Sequence, residues 1–149
     1  MDHIVYLDAK NGEMESLLHG NKSMIIREAS GLGFPHGRVS EGDVLYFINN
    51  NSEDVIKAKG IVATVYCSEM LTEEESFETV VRNQDKLQLP DCQFERFAGK
   101  KFLALIGVEN MEKLDSFRIN MSQFPNENDW IIAGNINEYI KSDHGIIPA

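Results

Sequence analysis

The chain has 149 residues, 42% of them hydrophobic, with 14 basic and 24 acidic side chains for a formal net charge of −10. That length is enough for one domain with its own core, so residues 1–149 are expected to form a single domain. The acidic balance repels phosphate backbones and anionic membrane surfaces wherever cations are not gathered, which argues against duplex DNA and membranes as partners.

In chain order, HIVYL (His3–Leu7) is a β-branched and aromatic run and predicts a strand. Asp8 is placed to cap a helix through AKNGEMESLLHG, with Met14, Leu17 and Leu18 at helical spacing and Gly20 as its stop. SMIIRE predicts a second strand. Ala29–Asp43, rich in Gly, Pro and Ser, predicts a long loop ending in a Gly42-Asp43 turn. DVLYFIN and VIKAKGIVATVYC then form a hairpin, with Lys57 and Lys59 on its exposed face.

Thr72 followed by Glu73–Glu75 is a capping box, which starts a helix predicted to run to about Leu87 before Pro90. CQFERFAGK is irregular or a short helix. Phe102–Val108 is a strand with a weaker continuation toward Ile119. Asn126–Asp129 is a polar loop before the apolar run Trp130–Ile132, and NEYIKSDHGIIPA adds one helical turn and a frayed tail. The fold class is α+β, a small and mostly antiparallel sheet flanked by two or three helices. Bends at Gly60 and Gly107 favour a small open β-barrel.

The sequence has few of the usual chemical signatures. His3, His19, His36 and His144 lack any ligand spacing, so neither a metal site nor a cofactor is expected. GLGFPHG lacks the strand-then-helix context of a phosphate loop. The Glu73–Glu75 run suits a helix N-terminus. Cys67 and Cys92 are expected as free thiols in or near the core of a cytoplasmic protein, and MDHIVYLDAK does not have the order of a secretory signal. Trp130 serves either core packing or stacking beside a ligand.

The stretch GNKSMIIRE resembles the signature of the ASCH domains, a branch of the PUA-like superfamily. Their pattern is Gly-x-Lys-x-x-Glu-x-Arg at a helix-to-strand junction; Gly20, Lys22 and Arg27 match it, and Ile25 stands at the Glu position. The resemblance extends to the layout of nearly the whole chain. It implies a PUA-like barrel with a cleft lined by Lys22 and Arg27, and ligands that are RNA or nucleotide-like. Some small bacterial members act as amidohydrolases on acetylated cytidine, using the Lys, a hydroxyl three residues later and a Glu. Here Ile25 occupies that third position and carries no hydroxyl.

The expected function is therefore a binding module whose small basic cleft takes a nucleotide, a nucleoside or short single-stranded RNA. Lys22, Ser23 and Arg27 would line that cleft, Arg38 would add a third cation from the long loop, and Trp130 would stack on a base. The alternatives are an amidohydrolase acting on a modified nucleoside, and a protein-interaction domain without a ligand.

Overall fold

The computed structural model describes residues 1–29, 34–35, 37–51, 54–120 and 129–140. The expected loop residues Asn126–Asn128, the tail from residue 141 and His36 lie outside the described residues. Six strands form one sheet: β1 Asp2–Leu7, β2 Met24–Glu28, β3 Val44–Asn49, β4 Val55–Cys67, β5 Leu103–Arg118 and β6 Trp130–Gly134. The helices are α1 Glu13–Leu18, α2 Glu73–Arg82, α3 Gln84–Leu87 and α4 Asp91–Phe97, with a 3-10 turn at Ile136–Tyr139.

The strand order is β2-β5-β4-β3-β1-β6. Every pairing is antiparallel except β1 with β3, which run parallel from Asp2↔Val44 to Leu7↔Asn49. A parallel neighbour and burial on both faces explain why β1 reads as a nearly continuous apolar run. β2 and β6 are edges, and the sheet curls into a half-barrel, in line with the small open barrel expected from the sequence.

β4 and β5 pair along most of their length with three register shifts, one of them between Lys59 and Ile61. The expected bend sites sit in this ribbon. A methyl at Gly60 would lie 2.7 Å from Val108 Cγ1, and one at Gly107 would collide with Thr64 Oγ1. The strands approach closely there because neither residue has a side chain.

The concave side holds Val5, Leu17, Ile25, Phe47, Ile106 and Trp130 among its buried residues. A second cluster, including Met24, Ile26, Val80, Leu87 and Phe97, packs the opposite face of β2 against the helices. β2 is thus buried on both faces, and alternation sends Ile25 to one core and Met24 and Ile26 to the other.

The helices differ from expectation in two places, each for a local reason. α1 starts at Glu13, because Gly12 adopts a left-handed φ of 66° at its N-terminus; Asp8 caps the preceding turn instead. The helix that begins at the Thr72–Glu75 capping box is broken at Asn83 (φ −104°, ψ 5°), giving α2 and α3 where one helix was expected. Pro90 stops that stretch and also serves as the N-cap of α4. The described residues therefore hold four α-helices rather than two or three. Both cysteines are free thiols; Cys67 is half-buried, but Cys92 is exposed on the first turn of α4 and so lies outside the core.

Among the described residues, no helix is long and apolar enough to cross a membrane.

Candidate functional site

A solvent-open cleft, about 610 Å³ with the open solvent in its mouth included, lies where the end of β1, α1 and β2 meet α3 and α4. The expected helix-to-strand corner forms one wall. Gly20 ends the helical stretch with a φ of 82°, and the Lys22 amide donates to the Ser16 carbonyl. This turns the Lys22 side chain inward.

Lys22 is only 4% exposed. Its ammonium donates to the Leu87 carbonyl at the end of α3 and pairs with Glu13 Oε2 at 3.3 Å. Burial lowers its pKa from the ordinary 10.5; Glu13 opposes that shift and the Arg27 charge adds to it. The other oxygen of Glu13 accepts from the Asp8 amide at 2.9 Å. Glu13 is thus held at both ends and places a carboxylate beside the motif lysine.

Arg27 reaches from β2 across the gap to β1. Its Nη1 donates to the Ile26 carbonyl and its Nη2 to the Tyr6 carbonyl, both at 2.7 Å. Nε is buried without a partner, and no carboxylate lies within ion-pair distance among the described residues. Burial lowers the pKa of the guanidinium, while Glu13 and Asp129 act from farther away to raise it; it stays charged at any ordinary pH.

The remaining polar lining comes from separate segments. Asp8 Oδ2 accepts from Asn11 Nδ2 at 2.6 Å and from Gln93 Nε2 at 3.2 Å. Burial raises the pKa of this carboxylate, but these hydrogen bonds outweigh that and leave it lowered. Asp129 pairs with Arg96 at 3.8 Å across the mouth. Asn50 and Gln88 add two more amides, and Ile26, Leu89, Pro90 and Phe97 supply apolar surface.

The cations Lys22, Arg27 and Arg96 thus face the carboxylates Asp8, Glu13 and Asp129, so the charges of the described lining cancel. This corrects the expectation of a basic cleft: α1 and the β1–α1 turn bring in acids that the motif alone does not reveal.

Of the expected site residues, the cleft gathers Lys22 and Arg27 and leaves Ser23, Arg38 and Trp130 outside its lining. Ser23 is exposed, and its backbone is engaged with Lys86 and Val108. Arg38 is exposed on the long loop. Trp130 is 2% exposed, packed edge-on against Phe34, and donates its indole N–H to His3 Nδ1 at 3.2 Å, which leaves no ring face for stacking. The aromatic residues that line the cleft are Tyr6 and Phe97.

Glu13, Asp8 and Gln93 were missed as site residues. Acids in the first turn of a helix look like dipole partners, and Asp8 looks like a cap. The signal that was available is position: both acids sit at the N-terminal end of the helix that leads into the motif. No group of three or more potential metal ligands occurs among the described residues.

No family model matches this sequence, and no curated protein is similar to it at a significant level. Solved structures are. The ASCH protein from Zymomonas mobilis superposes with a TM-score of 0.64 at 7% identity, over 87% of this chain and 85% of that one. Two single-residue variants of the same protein give TM-scores of 0.63 and 0.62 at 8% and 10% identity, again over 87% of this chain. The half-barrel with its flanking helices is therefore an α+β fold shared with these structures. More particularly it is the ASCH-domain fold, as the resemblance at Gly20, Lys22 and Arg27 implies.

Proposed function

We propose that this chain is a binding module that takes one nucleoside or nucleotide, or one unit of a short single-stranded RNA, in the cleft between β1, β2 and α4. The observation that carries this is Arg27. A half-buried guanidinium whose Nε is sealed from solvent without a partner, and which among the described residues donates only to two backbone carbonyls, has N–H groups suited to an oxygen-bearing ligand. The amide-rich walls and the apolar surface of Leu89 and Phe97 suit a heterocycle. The cancelling charges favour a single unit over a polyanion that needs many phosphate contacts.

The test is to titrate cytidine, cytidine monophosphate and a trinucleotide into isotope-labelled protein. Shifts concentrated at the amides of Asn11, Lys22, Arg27 and Gln93, with saturation at millimolar ligand or below, are expected. Absence of any shift there with all three ligands would overturn the proposal.

The Lys22–Glu13 pair favours a second reading, an amidohydrolase on a modified nucleoside. It supplies a lysine whose pKa is lowered by burial and a carboxylate 3.3 Å away. Ile25 is fully buried in the core and lends nothing to the cleft; Ser16, on α1, is the lining residue with an aliphatic hydroxyl. Incubation with acetylcytidine decides between the two: release of acetate that is lost in Lys22→Met supports hydrolysis, and an unchanged substrate rules it out.

A further inference from the structure

Two of the cleft amides share one carboxylate oxygen. Asp8 lies between Asn11 and Gln93 and, as a carboxylate, only accepts hydrogen bonds. It takes the amino group of Asn11 at 2.6 Å and that of Gln93 at 3.2 Å. Gln88 likewise spends its amino group, on the Asp85 carbonyl at 2.8 Å. Each of these three side chains therefore has its amino end directed at protein, and none of the three amide oxygens has a partner among the described residues. The fourth lining amide is oriented the other way: Asn50 accepts from the Ala9 amide through its oxygen, so its amino end is left over.

The wall formed by the β1–α1 turn and by α3–α4 is thus rich in acceptors, with the carboxylates of Asp8 and Glu13 behind it. Donors lie on the β2 side, where Arg27 has N–H groups to spare, and at the mouth, where Arg96 of α4 pairs with Asp129. An acceptor-rich wall opposite a donor selects a ligand with N–H groups on one edge and an oxygen on the other. A ligand carbonyl placed against the amide oxygens would leave acceptors facing acceptors, and desolvated acceptors without donors are costly.

We propose that the cleft discriminates among nucleobases in favour of those carrying an exocyclic amino group, and that Asp8 sets this preference by fixing the orientation of Asn11 and Gln93. Asp8 is a positioning residue: it acts through the two amides. The inference rests on the nucleoside-binding proposal above.

The test compares pairs that differ at one group, cytidine with uridine and adenosine with inosine, by calorimetry on the wild type, Asp8→Asn and Gln93→Leu. The expected result is that the amino member of each pair binds about tenfold more tightly or better. In Asp8→Asn the new carboxamide can donate as well as accept, so the neighbouring amides can turn and the preference collapses toward unity. Gln93 is half-buried on a helix surface, so Gln93→Leu is expected to fold; it should lower the preference without the turn-cap loss that Asp8→Asn risks. Equal affinities within each pair would overturn the inference and leave nucleoside binding standing. Failure of all four nucleosides to bind would remove both.

Discussion

The guanidinium of Arg27 on β2 donates to the backbone carbonyl of Tyr6 on β1 at 2.7 Å. These strands are not neighbours in the sheet; β5, β4 and β3 separate them in its order. The contact therefore closes the half-barrel across its open side with one side chain. A second bond from the same guanidinium, to the Ile26 carbonyl, satisfies a backbone group beside that gap.

Removing this strut should be expensive. Arg27→Leu leaves two carbonyls without their charged donor, and each such loss costs roughly 1–3 kcal/mol. Arg27→Lys keeps the charge but lacks the fork that reaches both carbonyls, so it should recover only part of the loss. Urea denaturation of the three proteins checks this; equal midpoints would show that the bridge contributes nothing to stability.

Lys22 links the cleft to alkaline pH. Its folded pKa lies below the ordinary 10.5 because burial disfavours the ammonium. Between the lowered folded value and 10.5 the unfolded chain binds more protons than the folded one, so this group makes stability rise with pH in that window. Stability measured from pH 8 upward in the wild type should carry this positive component, and Lys22→Met should lack it. Identical slopes in both proteins would contradict the burial effect.

His3 does the corresponding work on the acid side. It is fully buried, with Nε2 2.8 Å from Asp43 Oδ2 and Nδ1 accepting from the Trp130 indole. An Nδ1 that accepts carries no proton, so the N–H is on Nε2 and the contact to Asp43 is a hydrogen bond from a neutral ring. Burial lowers the His3 pKa below 6.5, and the hydrogen bond and charge of Asp43 only partly oppose this. Below 6.5 the unfolded chain takes up the proton first, so stability falls as pH drops from 6.5 toward the lowered folded value. His3→Gln, which cannot titrate, should flatten that part of the profile. An unflattened profile would assign the acid sensitivity to other groups.

Much of this architecture is legible because the local signals are strong. The run VIKAKGIVATVYC alternates cleanly and becomes β4 from Val55 to Cys67, and Thr72 with Glu75 forms the capping box their spacing suggests. Lys22 and Arg27 were legible through a short motif. Their surroundings were not, since Asp8, Glu13, Gln93 and Asp129 come from four segments that meet only after the sheet curls and α4 packs on it. The tryptophan misled for a different reason: the polar residues before it suggested exposure, whereas β6 pairs with β1 and places the ring in the concave core. Likewise Arg38 is cationic and on a loop, but a loop cation enters a cleft only if the chain turns it there, and Arg38 is outside the lining.

Gly60 tests whether the close approach within the β4–β5 ribbon matters. A Cβ there would sit 2.7 Å from Val108 Cγ1, 2.8 Å from Met111 Sδ and 3.4 Å from Phe47 Cε2. Met111 can yield, but Val108 is β-branched and buried, and Phe47 is fully buried in the concave core. Gly60→Ala should therefore destabilise the fold by about 1–3 kcal/mol through overpacking, although alanine is ordinarily no worse than glycine in a strand. The double variant Gly60→Ala with Val108→Ala removes the nearest obstacle. It should cost less than the sum of the two single changes, because the new methyl occupies space that the truncated valine vacates. Additive losses would place the strain elsewhere and mean that Gly60 serves the register shift between Lys59 and Ile61 rather than the packing beneath it.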